Sequence, residues 1–340
     1  SISSIIPLQY GEIFKYNSII VMDENAKEAS KAAAINEIKN DSNVSDTINV
    51  RLKNIEAGSG DEWQKINLVV PEDPARLDKF ISIHKMGSKE KIRLTDEGVV
   101  IGEKLAKILG LRVGSEITLK DGEVNTHRVK VTGINENYTL HYVYMTPALY
   151  KKTYGQKPVL NCVLVTQNVV SQAADDAISS RLLNNKAVLQ ITSTRTAQNS
   201  FTDMVHNLNS IVLVMIVSAG ALAFVVLYNL TNINITERIR EIASIKVLGF
   251  YDIEVSQYVF RENIILTLLD AGIGLLAGIV LDRFVLLTSE TDVVMFGRQI
   301  YWYSFVFAAA LTVLFSVLVN LVMHFRLKKV NMIESLKSVE

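Results

Sequence analysis

A single cysteine, Cys162, stands among 340 residues, so an intrachain disulfide is excluded and any part of the chain folded outside the cytosol must be held by packing. Net charge is also missing. The 35 basic and 35 acidic residues cancel, which leaves no global field to draw the chain to nucleic acid or to another acidic polymer. No Gly-x-x-x-x-Gly-Lys-Ser/Thr phosphate loop occurs, so the chain has no Walker-type nucleotide site of its own. The histidines His84, His127, His141, His206 and His324 lack metal-ligand spacing, and neither His-Glu-x-x-His nor Gly-x-Ser-x-Gly is present. Catalysis, a bound metal and a cofactor are therefore not expected. Cys162 itself lies in the apolar run 159–165 and reads as a buried strand residue.

What is present is an apolar excess concentrated after residue 204. Segments 211–230, 264–287 and 301–325 each reach the roughly 20 apolar residues that cross a hydrocarbon core of about 30 Å. With their flanks they run over about 208–231, 258–287 and 301–326. The second holds Asp270, Asp282 and Arg283. A carboxylate well inside a span costs about 2.5–3.5 kcal/mol, so Asp270 is expected to face protein or water, as a hydrogen bond to another helix or as a proton relay. Asp282 and Arg283 fall near an interface and can snorkel. Gly274 with Gly278, and Gly220 between Ala219 and Ala223, are small-residue patches that admit close helix packing. Tyr301, Trp302 and Tyr303 suit an interfacial anchor.

Basic residues set the orientation. Arg238, Arg240, Lys246 and Arg261 follow the first span, and Arg326, Lys328, Lys329 and Lys337 follow the third, whereas 288–300 holds only Arg298. The first loop and the C-terminus are thus expected in the cytoplasm of a multi-pass plasma (inner) membrane protein, with residues 1–200 extracytoplasmic. A head of that size without a signal peptide needs an earlier segment to deliver it, so Ser1 is expected not to be the natural start.

In the head, 19–22 reads as a strand, 24–39 as a helix and 44–55 as a strand, and 159–166, 171–183 and 187–192 repeat the strand-helix-strand order. These halves are expected to pack as one α/β part (1–70 and 159–193). A small β-rich part (71–158) is inserted between them, with a strand after Gly98, a short helix ending at Gly110, a turn at Gly114, a strand to Leu119, a hairpin turn at Lys120-Asp-Gly-Glu123 and a strand over 127–134. Trp63 and the run 138–144 suit a core or an outer binding surface equally. Asn137-Tyr-Thr formally fits a glycosylation signal, as do triplets at Asn43 and Asn234. From Thr194 helical spacing of Phe201, Met204, Val205, Leu208, Ile211 and Val212 leads into the first span with no break. A helix over 194–232 would be ~55 Å long, about 25 Å more than the hydrocarbon needs, and this excess is a stalk.

Between the first two spans lies Glu237-Arg-Ile-Arg-Glu-Ile-Ala-Ser-Ile-Lys-Val-Leu-Gly249. Ile235, Ile239, Ile242, Ile245 and Leu248 recur at helical spacing, and Glu237/Arg240 and Arg238/Glu241 are three apart on the wet side. Gly249 suits the helix end. This stretch, followed by Glu262, resembles the loop between spans of the FtsX-like permease family, which includes MacB-type ABC transporter permeases, lipoprotein-release permeases and FtsX itself. Lys328-Lys-Val-Asn-Met-Ile-Glu-Ser-Leu-Lys337 is similar to the family's ending, with Met332 where many members have proline, and 98–119 looks like part of its extracytoplasmic domain.

The resemblance implies an α+β extracytoplasmic domain, with a porter-like α/β part and an inserted β-rich part, followed by a stalk and three transmembrane helices over 194–340. It implies a permease subunit working with a separate cytoplasmic ABC ATPase, which binds the ATP, and with a second permease half or a second copy. Glu237, Arg238, Arg240, Glu241, Ile242, Ser244, Ile245, Lys246, Leu248 and Gly249 would form the docking helix. Its movement would reach the outer domain through spans and stalk. The alternative is an FtsX-type regulator that activates a cell-wall hydrolase.

Overall fold

The computed structural model describes residues 5–122, 125–290, 292–295 and 300–328. At 204–209, 252–253, 256, 258–260, 262–263, 289 and 326–328 the description extends to the backbone alone. The family-like ending from 329 onward and the side chains of Met204, Val205, Leu208, Glu262, Arg326 and Lys328 lie outside it. The chain forms two compact units, one of residues 1–205 with 290–297 and one of 206–289 with 298–340.

The outer unit opens on a short helix α1 (Ile5–Pro7) that widens into a turn over Leu8–Ile13. It continues through β1 (Ser18–Met22), α2 (Glu28–Lys39), β2 (Val44–Ser59), β3 (Glu62–Pro71), β4 (Val99–Gly102), α3 (Glu103–Ile108), β5 (Glu116–Asp121), β6 (Asn125–Asn135) and β7 (Tyr142–Tyr144). It ends with α4 (Pro147–Tyr154), β8 (Cys162–Gln167), α5 (Gln172–Leu182) and β9 (Val188–Ser193). The helix expected from 24 starts at 28, because the Asp23 carboxylate accepts from Asn25 N at 2.9 Å and Glu24 leaves the helix to pair with Arg51 at 2.6 Å. Such local side-chain bonds compete with helical ones. The strand expected from 159 starts at 162, since the Val159 carbonyl takes Arg51 Nη1 at 3.1 Å.

All nine strands belong to one sheet ordered β3-β7-β4-β6-β5-β2-β8-β1-β9, with β3 also pairing β2. That last pairing closes β2, β3, β7, β4, β6 and β5 into a ring. Pairing crosses the division expected at residue 71. The first part of β2 pairs β8 over 44–50, its later residues pair β5 over 56–58, and β2 and β3 are antiparallel over 50–71. Two cores follow. Inside the ring pack Ile55, Ile66, Leu68, Val99, Ile101, Ile117, Leu119, Val131 and Val143, with Leu105 of α3 and Leu149 of α4. On the other side of β2, Ile20, Val163, Val165 and Val188 pack against Ala34 and Ile38 of α2 and Ile178 and Leu182 of α5. A fully buried side chain of this kind contributes ~1.5–3 kcal/mol, and these cores stand in for disulfides. Cys162 is buried within β8, and burial pushes its thiol up to about 12.

The other unit holds long helices. One helix, α6 (Thr194–Glu237, 44 residues), begins in the outer unit and runs without interruption through the first apolar segment. It is followed by α7 (Ile239–Val247), α8 (Asp252–Ser289) and α9 (Trp302–Lys328). Three stretches, Ser210–Glu237, Ile264–Thr288 and Trp302–Phe325, are long and apolar enough to cross a membrane. They match the expected spans, the first extending seven residues further than 230.

Candidate coupling site

Between α6 and α7 only Arg238 leaves helical geometry, at φ −100° and ψ 18°. The hydrogen-bond ladder survives the bend, with Arg238 N on the Asn234 carbonyl at 3.2 Å and Ile242 N on the Arg238 carbonyl at 3.0 Å. The far end of α7 is closed twice over. Gly249 N donates to the Lys246 carbonyl and Phe250 N to the Ile245 carbonyl, the paired bonds of a Schellman ending, which requires the left-handed residue that Gly249 supplies at φ +93°. Tyr251 N then donates to Glu254 Oε2 at 2.8 Å, the side-chain half of a capping box for α8. The α7–α8 corner is therefore shaped by its own local bonds.

The faces of α7 differ. Ile242 is 1% exposed and packs with Ile235, Val255, Val319 and Met323, with Phe224, Leu227, Tyr228 and Ile245 around them. These residues come from α6, α7, α8 and α9, so α7 shares one apolar cluster with all three long helices. Of the expected apolar stripe, Ile235, Ile242 and Ile245 enter the cluster and Ile239 is half-buried. Leu248 does not, being 77% exposed as the first residue past the helix. Val247, Phe250 and Tyr251 are exposed beside it. Sequence reasoning named Leu248 as a docking residue but not Val247, Phe250 or Tyr251, which complete the corner; the Gly249 ending was the available signal. Glu237, Arg240, Glu241 and Ser244 are exposed and Arg238 and Lys246 half-buried.

At its other end α6 is clamped into the outer unit. Thr194 N and Oγ1 both donate to the Asn17 carbonyl, at 2.8 and 2.9 Å. Asp175, 7% exposed, accepts from Ser193 Oγ at 2.8 Å and pairs with Arg195 at 3.2 Å, and Arg195 also reaches Gln172 Oε1 at 2.8 Å. A buried carboxylate is costly unless paired in this way.

The remaining expected residues separate. A Cβ added at Gly220 would overlap the Phe315 ring of α9, whereas nothing lies within 4 Å of one at Gly274 or Gly278. Asp270 is exposed on α8, and a polar contact between α8 and α9 lies at Thr267, whose hydroxyl is 2.9 Å from that of Ser316. Tyr301 and Tyr303 stack at 5.2 Å with Trp302 exposed between them. Tyr138 and Tyr144 are core residues, while Trp63 is 38% exposed with the Lys120 ammonium 5.5 Å from its ring. Asn137 is buried, which excludes a glycan there. Among the described residues no cluster of His, Cys, Asp or Glu could hold a metal ion.

Comparison with curated proteins gave no significant match. Among solved structures, the periplasmic region of MacB from Actinobacillus actinomycetemcomitans is 13% identical, covering 56% of this chain and 94% of that one with a TM-score of 0.34. The extracellular domain of the ABC-type transporter YknZ from Gram-positive bacteria is 16% identical, covering 51% and 99% with a TM-score of 0.32. The family described as FtsX-like permease C-terminal matches residues 212–332, a stretch that contains α7, its capped corner and all but the outset of the helices that share its cluster. Over residues 212–332 this chain is therefore similar to an FtsX-like permease C-terminal domain.

Proposed function

We propose that the chain is the transmembrane permease subunit of an ABC transporter, in which a separate cytoplasmic ATPase docks on α7 and its motion is passed to an extracytoplasmic domain. The observation that carries this reading is the division of α7 into a face packed with α6, α8 and α9 and a stiff, exposed apolar corner of Val247, Leu248, Phe250 and Tyr251. An exposed apolar patch of this kind marks an interaction site. Because packed interiors transmit strain, displacement of the corner moves the three long helices together. The continuous α6 then carries that movement, ~66 Å from end to end for its 44 residues. Basic residues around α7 favour a cytoplasmic position for it. The open face of α8 at Asp270, Gly274 and Gly278, positions four apart, suits a second permease half or a second copy, where Asp270 finds a polar partner. The test is co-purification with the cognate ATPase. Replacing Glu241 and Leu248 together by alanine should abolish association while the protein stays in the membrane, and undiminished association would remove the docking role.

A further inference from the structure

The connection between α8 and α9 is not a free loop. Residues 290–297 group with the outer unit, so the chain passes between the units at 205/206, 289/290 and 297/298. Leu140 N donates to the Val293 carbonyl at 2.7 Å and Met295 N to the Tyr138 carbonyl at 2.8 Å, bracketing an antiparallel bridge between Thr139 and Val294. Met295 is 1% exposed. Beside it, Lys104 Nζ of α3 meets Glu290 Oε2 at 2.7 Å, with the two side chains only 14% and 7% exposed. A buried pair of this kind fixes register, because either charge left alone there is heavily penalised.

The surface that receives this segment is built for it. Tyr138, Thr139 and Leu140 are held by buried polar side chains. Gln9, fully buried, gives Nε2 to Asn137 Oδ1 at 3.1 Å and takes Tyr138 N at 2.8 Å on its Oε1. Asn137 Nδ2 holds the carbonyls of Thr139 and Leu140 at 2.9 and 2.8 Å. Glu136, itself buried, accepts from Tyr138 OH at 2.5 Å and lies 3.2 Å from His84 Nε2. Leu140 is left-handed at φ +57°, a conformation that a branched residue adopts only where its surroundings dictate it. The two bonds that dictate it come from Asn137 and from Val293.

We propose that residues 290 and 293–295 form a docking strap, which anchors the α8–α9 connection on the outer unit independently of α6, with Lys104 and Glu290 as its positioning residues. That the strap passes on movement rests on the coupling reading above; that it docks does not.

The flanking bonds make Thr139 and Val294 a non-hydrogen-bonded pair, whose Cα atoms lie about 4.5 Å apart, inside the range a disulfide spans. In a Cys162→Ala background, Thr139→Cys with Val294→Cys should form an intrachain disulfide in membranes under mild oxidation, read as a linked peptide by mass spectrometry. Adding Lys104→Glu or Glu290→Lys should lower its yield about tenfold, and the two together should restore it. Absence of the disulfide in the parent pair, or equal yield in all four backgrounds, overturns the strap. ATPase association, measured on the same membranes, reports separately. Its loss with the disulfide intact removes the coupling reading and leaves the strap in place.

Discussion

Ile242 lies within α7 and Leu248, six residues on, just past its end, and the two should respond to truncation in opposite ways. Leu248 is 77% exposed, so Leu248→Ala removes almost no internal contact and should change stability by less than about 0.5 kcal/mol. If the side chain is buried by an ATPase, most of the ~1.5–3 kcal/mol of a buried leucine is lost from the complex. After allowance for what is already covered, about 1–2 kcal/mol remains, which weakens binding roughly five- to thirty-fold. Ile242 is 1% exposed within the cluster shared by α6, α7, α8 and α9. Truncation to alanine there should cost ~2–5 kcal/mol through lost transfer energy and the cavity left behind. The assay is paired: Kd for the purified ATPase by fluorescence titration, and Tm of the detergent-solubilised chain. Leu248→Ala should shift Kd and spare Tm, and Ile242→Ala should lower Tm. An unaltered Kd for Leu248→Ala, or a fall in Tm matching that of Ile242→Ala, refutes the assignment of a docking corner and a packed face.

Gly220→Ala gains up to about 1 kcal/mol of helix propensity, but its Cβ meets the Phe315 ring. Overpacking of ~1–3 kcal/mol should win, lowering Tm, with recovery when Phe315→Ala is added. Gly98→Ala drives a Cβ into the Lys130 carbonyl, a backbone atom that cannot turn aside. Soluble yield of the outer unit or the Tm of the whole chain should therefore fall by more than for Gly220→Ala. For His141, burial holds the imidazole below its ordinary value, and Lys104 acts in the same direction against the opposing Asp292 carboxylate. A depressed folded value means that the unfolded chain binds the proton more readily, so stability is intact above about 6.5 and is lost as pH falls through the depressed value. His141→Phe should flatten that part of the Tm–pH curve, and an unchanged slope would discount His141. The Cys162 thiol, buried and pushed up to about 12, should resist maleimide at neutral pH until the chain is denatured.

Much of the architecture could be read directly from local pattern. The three apolar helices, the uninterrupted run from Thr194, most strands of the outer unit and the α7 stretch all follow from periodicity and from the placement of glycine and basic residues, which are local properties. Helix α4 was legible but passed over: Thr146 caps Leu149 N, Pro147 takes the first helical position and Gly155 ends it in the left-handed region. That triplet is a start-and-stop signature. The start of α2 was misplaced because Arg51, a residue of β2, takes Glu24 away from the helix. A partner 27 positions distant leaves no trace in a local window.

What the sequence determined alone was therefore what depends on spacing within about 20 residues: which segments are apolar enough to span, and which turn at Gly249. Tertiary structure alone decided which of those segments touch. The closure of six strands into a ring, the contact of Thr267 with Ser316 and the pairing of 138–140 with 293–295 all join residues remote in the chain. The physical reason is common to them. Helical and strand preferences set a backbone's shape residue by residue, but a side chain's burial and its hydrogen-bond partner are properties of two surfaces that meet only after the chain has folded.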